Sequence, residues 1–357
     1  HSSDNVFIGA IAGASHNGSD GNVGVGYKAL IHSRGDYSVA IGYEAGDHAT
    51  GSYNTFVGAN AGQGGVTSAP YSSGQYNTAI GYRAFTSFTT AVNNTILGVD
   101  AGYSITTGGH NVMIGYGAGD DITTGGWNVI IGGGGTRNYG ADFGNNIAIG
   151  YDALSAGNAN FYRAIAIGRG AANKNTTNDQ IAIGYEAMKV HTTGTRNIAI
   201  GSYAMDDTDA GSTSLGSTDN IFMGHSAGGG TWADAATNGN VGIGSYVMDA
   251  AMDGALYNTA VGAYAASAIT QADNVVAIGN SAAYNLTTAS NNIAIGFRAM
   301  VTHTTGERNT VIGTNAMADT DAGSTSAGSV DNTFIGHNAG GGTWTNAASN
   351  YNVGIGN

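Results

Sequence analysis

A five-residue signature, Asn-x-(small or apolar)-(Ile or Val)-Gly, recurs from one end of this 357-residue chain to the other, and its closing glycine occurs 20 times, from Gly9 to Gly356. Successive glycines lie 16 to 18 residues apart, except for three steps of 23 and two of 20. A short period held over a whole chain specifies a solenoid, in which each repeat is one coil stacked on the last. The length alone would suggest two ordinary domains. The repeat overrides it, and the expected fold is all-β: a parallel β-solenoid, or β-roll, of about 20 short coils running as one continuous array over residues 1–357.

Aligned on the glycine, each coil reads the same way. The residue four before it is Asn in 16 of 20 coils, with Ser38, Ala164, Gln180 and Val275 as the exceptions. The residue just before it is aliphatic or Met, and the one two earlier is Val, Ile or Thr. Apolar residues at i and i+2 share one face of a strand, and β-branched types favour a strand over a helix. The residue between them is also apolar: Ala40, Ala148 and Gly242 in some coils, Phe7, Phe56, Phe222 and Phe334 in others. A strand apolar on both faces is one buried on both faces. Three residues after the glycine comes Ala in 17 of the 19 coils that extend that far. A polar turn follows, commonly Thr-Thr-Gly as at 106–108, 192–194 and 304–306. Stacked coils place the Asn residues in register about 4.8 Å apart, where their amides can satisfy one another as a ladder.

Composition narrows the function classes. Glycine accounts for 61 residues and proline for 1, without the Gly-X-Y period of collagen. Only 10% of residues are charged and the net charge is −13. That balance argues against nucleic acid and against a polybasic membrane contact. There is no cysteine, which fits an extracellular fibre stable without disulfides. No apolar run approaches the ~20 residues of a membrane span. The chain starts at His1 without methionine and stops at Asn357, just after a repeat glycine, as expected of a piece of a longer or processed protein.

Each coil offers few apolar residues for about 17 ordered ones, and one strand face is left over. At ~25 cal/mol per Å2 that is a thin core against ~1 kcal/mol or more of backbone entropy per residue. The economical remedy is lateral association of whole rolls, as a closed trimer or as paired rolls. On this reading Phe7, Phe56, Phe222 and Phe334 lie at the oligomer interface and the first partner is a second copy of the chain.

The segments Tyr37-Ser38-Val39-Ala40-Ile41-Gly42 and Asn146-Ile147-Ala148-Ile149-Gly150 resemble the head repeat of trimeric autotransporter adhesins, the YadA-like family. The longer Asn77-Thr78-Ala79-Ile80-Gly81-Tyr82-Arg83-Ala84 resembles repeats of phage tail-fibre and similar surface-fibre proteins. The resemblance covers essentially the whole chain. It implies a left-handed parallel β-roll trimerised about its axis, with attachment as its activity and a glycan or surface receptor as its target. Coils of 16 to 18 residues are longer than the family's commonest ones. The sequence shows no coiled-coil stalk, no membrane β-barrel anchor and no self-cleaving chaperone domain, so a cell surface, a virion fibre and a secreted filament all remain open.

A longer period overlies the coils. Residues 184–244 and 296–356 match at a constant offset of 112, with 42 of 61 positions identical. The 23-residue steps require outward loops, at 62–76, 206–219 and 319–331, and such loops are where a fibre carries its specificity. Within them Asp207-x-Asp209-x-Gly211 and Asp319-x-Asp321-x-Gly323 resemble the opening of calcium loops, making Asp207, Asp209, Asp319 and Asp321 candidate calcium ligands, although no downstream bidentate Glu follows. No other cofactor is expected. Trp232 and Trp344, beside triple glycines, are candidates for sugar stacking or for packing a long coil. His225 and His337 follow repeat glycines and could converge on a metal in an assembly. No paired carboxylates recur in register as a depolymerase groove would need, and no nucleophile elbow is present. The expected function is a non-enzymatic extracellular fibre shaft or adhesin segment mediating attachment. A structural subunit of a self-assembling filament is the alternative, and a fibre with polysaccharide depolymerase activity is a third reading.

Overall fold

In-register strand ladders follow directly from the repeat. The computed structural model describes residues 4–134, 143–155, 162–208, 216–232, 235–318, 328–342 and 349–357. Twenty strands of three residues each occupy the positions just before the repeat glycines, and no helix is present among the described residues. The chain divides into two compact units, residues 1–178 and 179–357. The first holds β1 (Val6–Ile8) through β10 (Ile165–Ile167), and the second β11 (Ile181–Ile183) through β20 (Val353–Ile355). Within each unit consecutive strands pair parallel, residue on equivalent residue, as in Val6↔Val23 and Ile181↔Ile198.

The repeat glycine is set by two constraints at once. Gly115 has φ +134, and a Cβ added there would lie 2.6 Å from the carbonyl oxygen of Gly132 in the next coil. No L side chain adopts that backbone easily, and none has room. The same glycine N–H donates to the previous coil, Gly115 N to Leu97 O at 2.8 Å. Corners beyond it are left-handed at ordinary residues, including Leu30, Phe85 and Met188 with φ between 50 and 57. Backbone hydrogen bonds between coils continue through these corners, for example Asp100 N to Tyr82 O at 3.0 Å and Thr106 N to Thr123 O at 2.8 Å.

The asparagine ladder forms as the spacing implies. Asn111 Nδ2 donates to Asn94 Oδ1 and to the Gly125 carbonyl, each at 3.0 Å. Its own Oδ1 accepts from the backbone N–H and the Nδ2 of Asn128, again at 3.0 Å. One amide therefore ties its coil to both neighbours and closes the coil on itself. Buried polar groups are tolerated only when bonded in this way. Ser38 carries the chain of bonds with its N–H and Oγ. Val275 and Ala164 receive the previous rung at their N–H.

The strand faces fall the opposite way from the assignment of phenylalanines to an interface. The middle residue of each strand points inward. Phe56 and Phe222 are fully buried within the single chain and Phe334 is 7% exposed, while Phe7, in the first strand, is half-buried. Phe56, Phe222 and Phe334 are core residues rather than an oligomer interface, and Phe7 lies in the same inward column. The physical reason is a volume trade across the turn. Where the middle residue is Phe or Met, the position four after the repeat glycine is glycine: Phe7 with Gly13, Phe56 with Gly62, Met113 with Gly119, Phe222 with Gly228 and Phe334 with Gly340. A Cβ at Gly228 would sit 2.8 Å from the Phe222 ring. Where the middle residue is Ala or Gly, several coils hold a larger group in the same slot, among them Leu30, Phe85, Met188, Met205 and Met248, all fully or almost fully buried, whereas Ala40 is matched by Gly46 and Ala260 by Ala266. A large group at either position can fill the space, and a close-packed core leaves little room for Phe at one with Met at the other.

This trade makes a quantitative expectation. Gly228→Met alone overpacks the coil and should cost about 2–3 kcal/mol. Phe222→Ala alone leaves a cavity and should cost about 3–4 kcal/mol. The double substitution recreates the arrangement of Ala199 with Met205, so urea unfolding should show a coupling of about 2 kcal/mol or more in its favour. Additive costs would refute the volume trade.

Candidate functional site

What remains for recognition is the outward strand face and the loops. The residues flanking each middle position point outward and stay part-exposed: Ile41 is 42%, Leu97 44% and Ile243 41% accessible. In-register pairing aligns them into two apolar columns in each unit. Over ten coils such columns form a continuous strip, the kind of exposed apolar patch that marks an interaction surface. The face that the sequence reading left for association, the phenylalanine face, is the inward one; the exposed strand face is formed by Val, Ile, Thr, Leu and Met instead.

Aromatic columns run beside it. Tyr37, Tyr53 and Tyr76 precede the ladder position in successive coils and stack with ring centroids 5.6 and 5.1 Å apart. His110 and Trp127 occupy the same slot further along, 3.8 Å apart and nearly parallel. Tyr27 and Tyr43 form a second column just after the repeat glycine, 5.2 Å apart. His225 belongs to that second slot and packs against Tyr246 at 5.1 Å, while His337 Nδ1 lies 2.9 Å from Asn357 Oδ1. Each aromatic is separated from the next by a full coil of sequence, so the columns emerge only when the coils are aligned.

The long coils show how outward loops are held. In the 62–76 loop the Ser72 hydroxyl accepts from Val66 N at 3.2 Å, and Ser72 N donates to His48 O at 3.0 Å. Residues 67–70 between these anchors are exposed. Much of the other two loops, including Asp209, Asp319 and Asp321, lies outside the described residues, as does Trp344. Asp207 is described: its Oδ2 accepts from the Thr231 hydroxyl at 2.6 Å and its carbonyl from Trp232 N at 3.3 Å. Trp232 is fully buried, edge-on to Phe222 at 5.8 Å. It packs the long coil, so it is not a surface platform for a sugar.

Two ion pairs recur on this surface. Arg196 forms a two-pronged pair with Asp219 at 2.6 and 2.8 Å, and Arg308 repeats it with Asp331 at 2.7 and 3.0 Å, at the offset of 112. Bonding to the arginine holds the carboxyls of Asp219 and Asp331 below their usual range. A depression of about 450 Å3 is lined by Arg298, Thr302, Asn315, Ala318, Asn338 and two glycines, so it carries one cation on walls of mixed polarity. One grouping escaped the sequence reading altogether. His32, Asp47 and His48, from two successive coils, place three potential ligand atoms within 4.8 Å of one another.

No known protein family, curated protein or solved structure is matched by this chain.

Asp206 beside the second long coil gives a pH expectation. Burial pushes its carboxyl up to about 6, and the neighbouring Asp207 and Glu186 carboxylates add to the rise. The folded state then binds a proton more tightly than the unfolded chain, so this group destabilises the fold above pH 6 and the penalty fades as pH falls towards 4. Asp206→Asn should raise the melting temperature by a few degrees at pH 7.5 and leave it unchanged near pH 4. A variant no more stable than wild type at pH 7.5 would contradict the assignment.

Proposed function

We propose that this chain is a non-enzymatic, extracellular fibre shaft or adhesin segment that mediates attachment, on a cell surface or in a phage tail fibre. The observation that carries the reading is the pair of outward apolar columns left uncovered along each unit. A face of that kind needs a partner, and the partner that matches it coil for coil is another copy of the same chain. The chain on this reading is a homo-oligomer, a trimer as the resemblance to autotransporter heads implies, or a filament. Its outward loops present weak contacts to a glycan or surface receptor, and repetition across the assembly sums them through effective concentration. The non-enzymatic part rests on the placement of ordered polar groups. The buried amides are consumed by the ladder, and the Asp219, Asp331 and Asp207 carboxylates bond to arginines or a hydroxyl.

Two measurements test the proposal. Sedimentation of the wild-type chain should show an oligomer, and Ile80→Lys with Leu97→Lys should reduce it to monomers with unchanged β-sheet circular dichroism. A wild-type chain that sediments as a monomer at tens of micromolar would end the self-association reading. Trimming loop 62–76 to ordinary coil length should weaken attachment to the natural target at least tenfold. Unaltered attachment would make this segment a spacer or a filament subunit, and release of sugar fragments from the target would make it an enzyme.

A further inference from the structure

We propose that His32, Asp47 and His48 form a binding site for a divalent zinc-type cation, clamping two successive coils and the loop packed over them. Nothing in the fibre reading requires this site, and the two stand or fall separately.

The placement comes from the repeat. His32 and His48 occupy the same slot, six residues after Gly26 and Gly42, so in-register stacking brings their rings face to face at 5.4 Å and 13°. Asp47 immediately precedes His48 and turns its carboxylate between them, with Oδ1 3.5 Å from His32 Nδ1 and Oδ2 4.0 Å from His48 Nδ1. Asp47 is 4% exposed. The neighbouring cation, Lys28, is bound to Glu44 at 3.2 Å. The polar partners nearest the Asp47 carboxylate among the described residues are therefore the two imidazoles, both too distant for good hydrogen bonds. His48 Nδ1 is buried without a hydrogen-bond partner. Burial also raises the Asp47 carboxyl, with the two histidines and Lys28 opposing that rise.

His48 Nδ1, buried without a partner and facing a buried carboxylate, departs from the rule that interior polar groups are satisfied. A cation between them satisfies both. Two imidazoles and one carboxylate suit zinc, whose bonds of about 2.0–2.2 Å set ligand atoms roughly 3.3–3.5 Å apart in a tetrahedron. The three atoms present lie within 4.8 Å, so modest side-chain rotation closes the set. His32 Nδ1 exchanges its 3.0 Å contact with the Asp47 carbonyl for the ion. Calcium and magnesium prefer oxygen-only sets and fit poorly. The half-buried histidines leave a path for entry and a fourth position for water.

Tyr71, from the 62–76 loop, lies over both rings, 4.2 Å from His32 and 5.7 Å from His48. Its ring packs against both imidazoles and limits how far they can turn. Ion binding would thus tie loop order to metal supply, and a cation bound only by the folded state raises thermal stability.

The test uses the whole chain, stripped with EDTA and dialysed. Calorimetric titration with Zn2+ should show a site bound at least tenfold more tightly than any that remains in Asp47→Asn/His48→Gln. The rise in melting temperature on adding Zn2+ should disappear in the same variant. Equal affinity and an equal Zn2+-induced rise in both proteins would overturn the proposal. Should the double variant not fold, imidazole nitrogen resonances of the unaltered chain decide. One equivalent of Zn2+ should shift those of His32 and His48, and signals that stay in place would refute the site.

Discussion

Coil-to-coil contact at the repeat glycine governs the rest of this structure. A methyl group at Gly115 or Gly132 would meet the next coil's glycine carbonyl at 2.6 or 2.7 Å, so the backbones approach as closely as chemistry permits. That approach fixes the stacking distance and the register together. With the register fixed, each Asn amide meets the one above and the one below, and each strand's middle residue falls inside the coil. A one-residue slip would invert both faces and strand every buried amide. Gly and Asn act as one device, the first setting the spacing and the second absorbing the polar groups that the spacing buries.

The thin core is workable because it is shared between two positions on opposite sides of a turn. Phe222 with Gly228 and Ala199 with Met205 are two solutions to one volume. Coils of either kind can follow one another, which explains how a repetitive chain tolerates Phe, Ile, Met, Ala and Gly at a single alignment position. Long coils use the same interior: Trp232 fills the extra space of its coil against Phe222. Insertions then run outward from anchors such as Ser72 without disturbing the ladder.

For function, the consequence is a division of labour. Inward positions are committed to packing, and amides near the strand are committed to the ladder. Recognition is left to the outward strand columns, the aromatic columns beside them, and the loops. On the proposed reading the exposed aliphatic columns serve self-association, whereas loops can vary one by one. The His32–Asp47–His48 grouping belongs to a third category, in which in-register stacking places identical residue types from neighbouring coils against each other.

The strands, their parallel order and the asparagine ladder were legible in the sequence, because a fixed period with Asn and Gly at fixed offsets admits one way of stacking. Which strand face points inward was not. Segments such as Val-Phe-Ile and Val-Ala-Ile are apolar on both faces, so hydrophobicity alone does not choose. The pairing of a large middle residue with glycine four positions past the repeat glycine carries the answer, but its meaning depends on a turn that brings the two positions together. That turn is built on left-handed corners at residues such as Leu30, Phe85 and Met188, whose types do not announce the conformation. The burial of Trp232 and the meeting of His32 with Asp47 and His48 have the same origin. Local sequence fixes what each coil is made of, but contacts across a turn or between coils exist only once the backbone has closed and stacked.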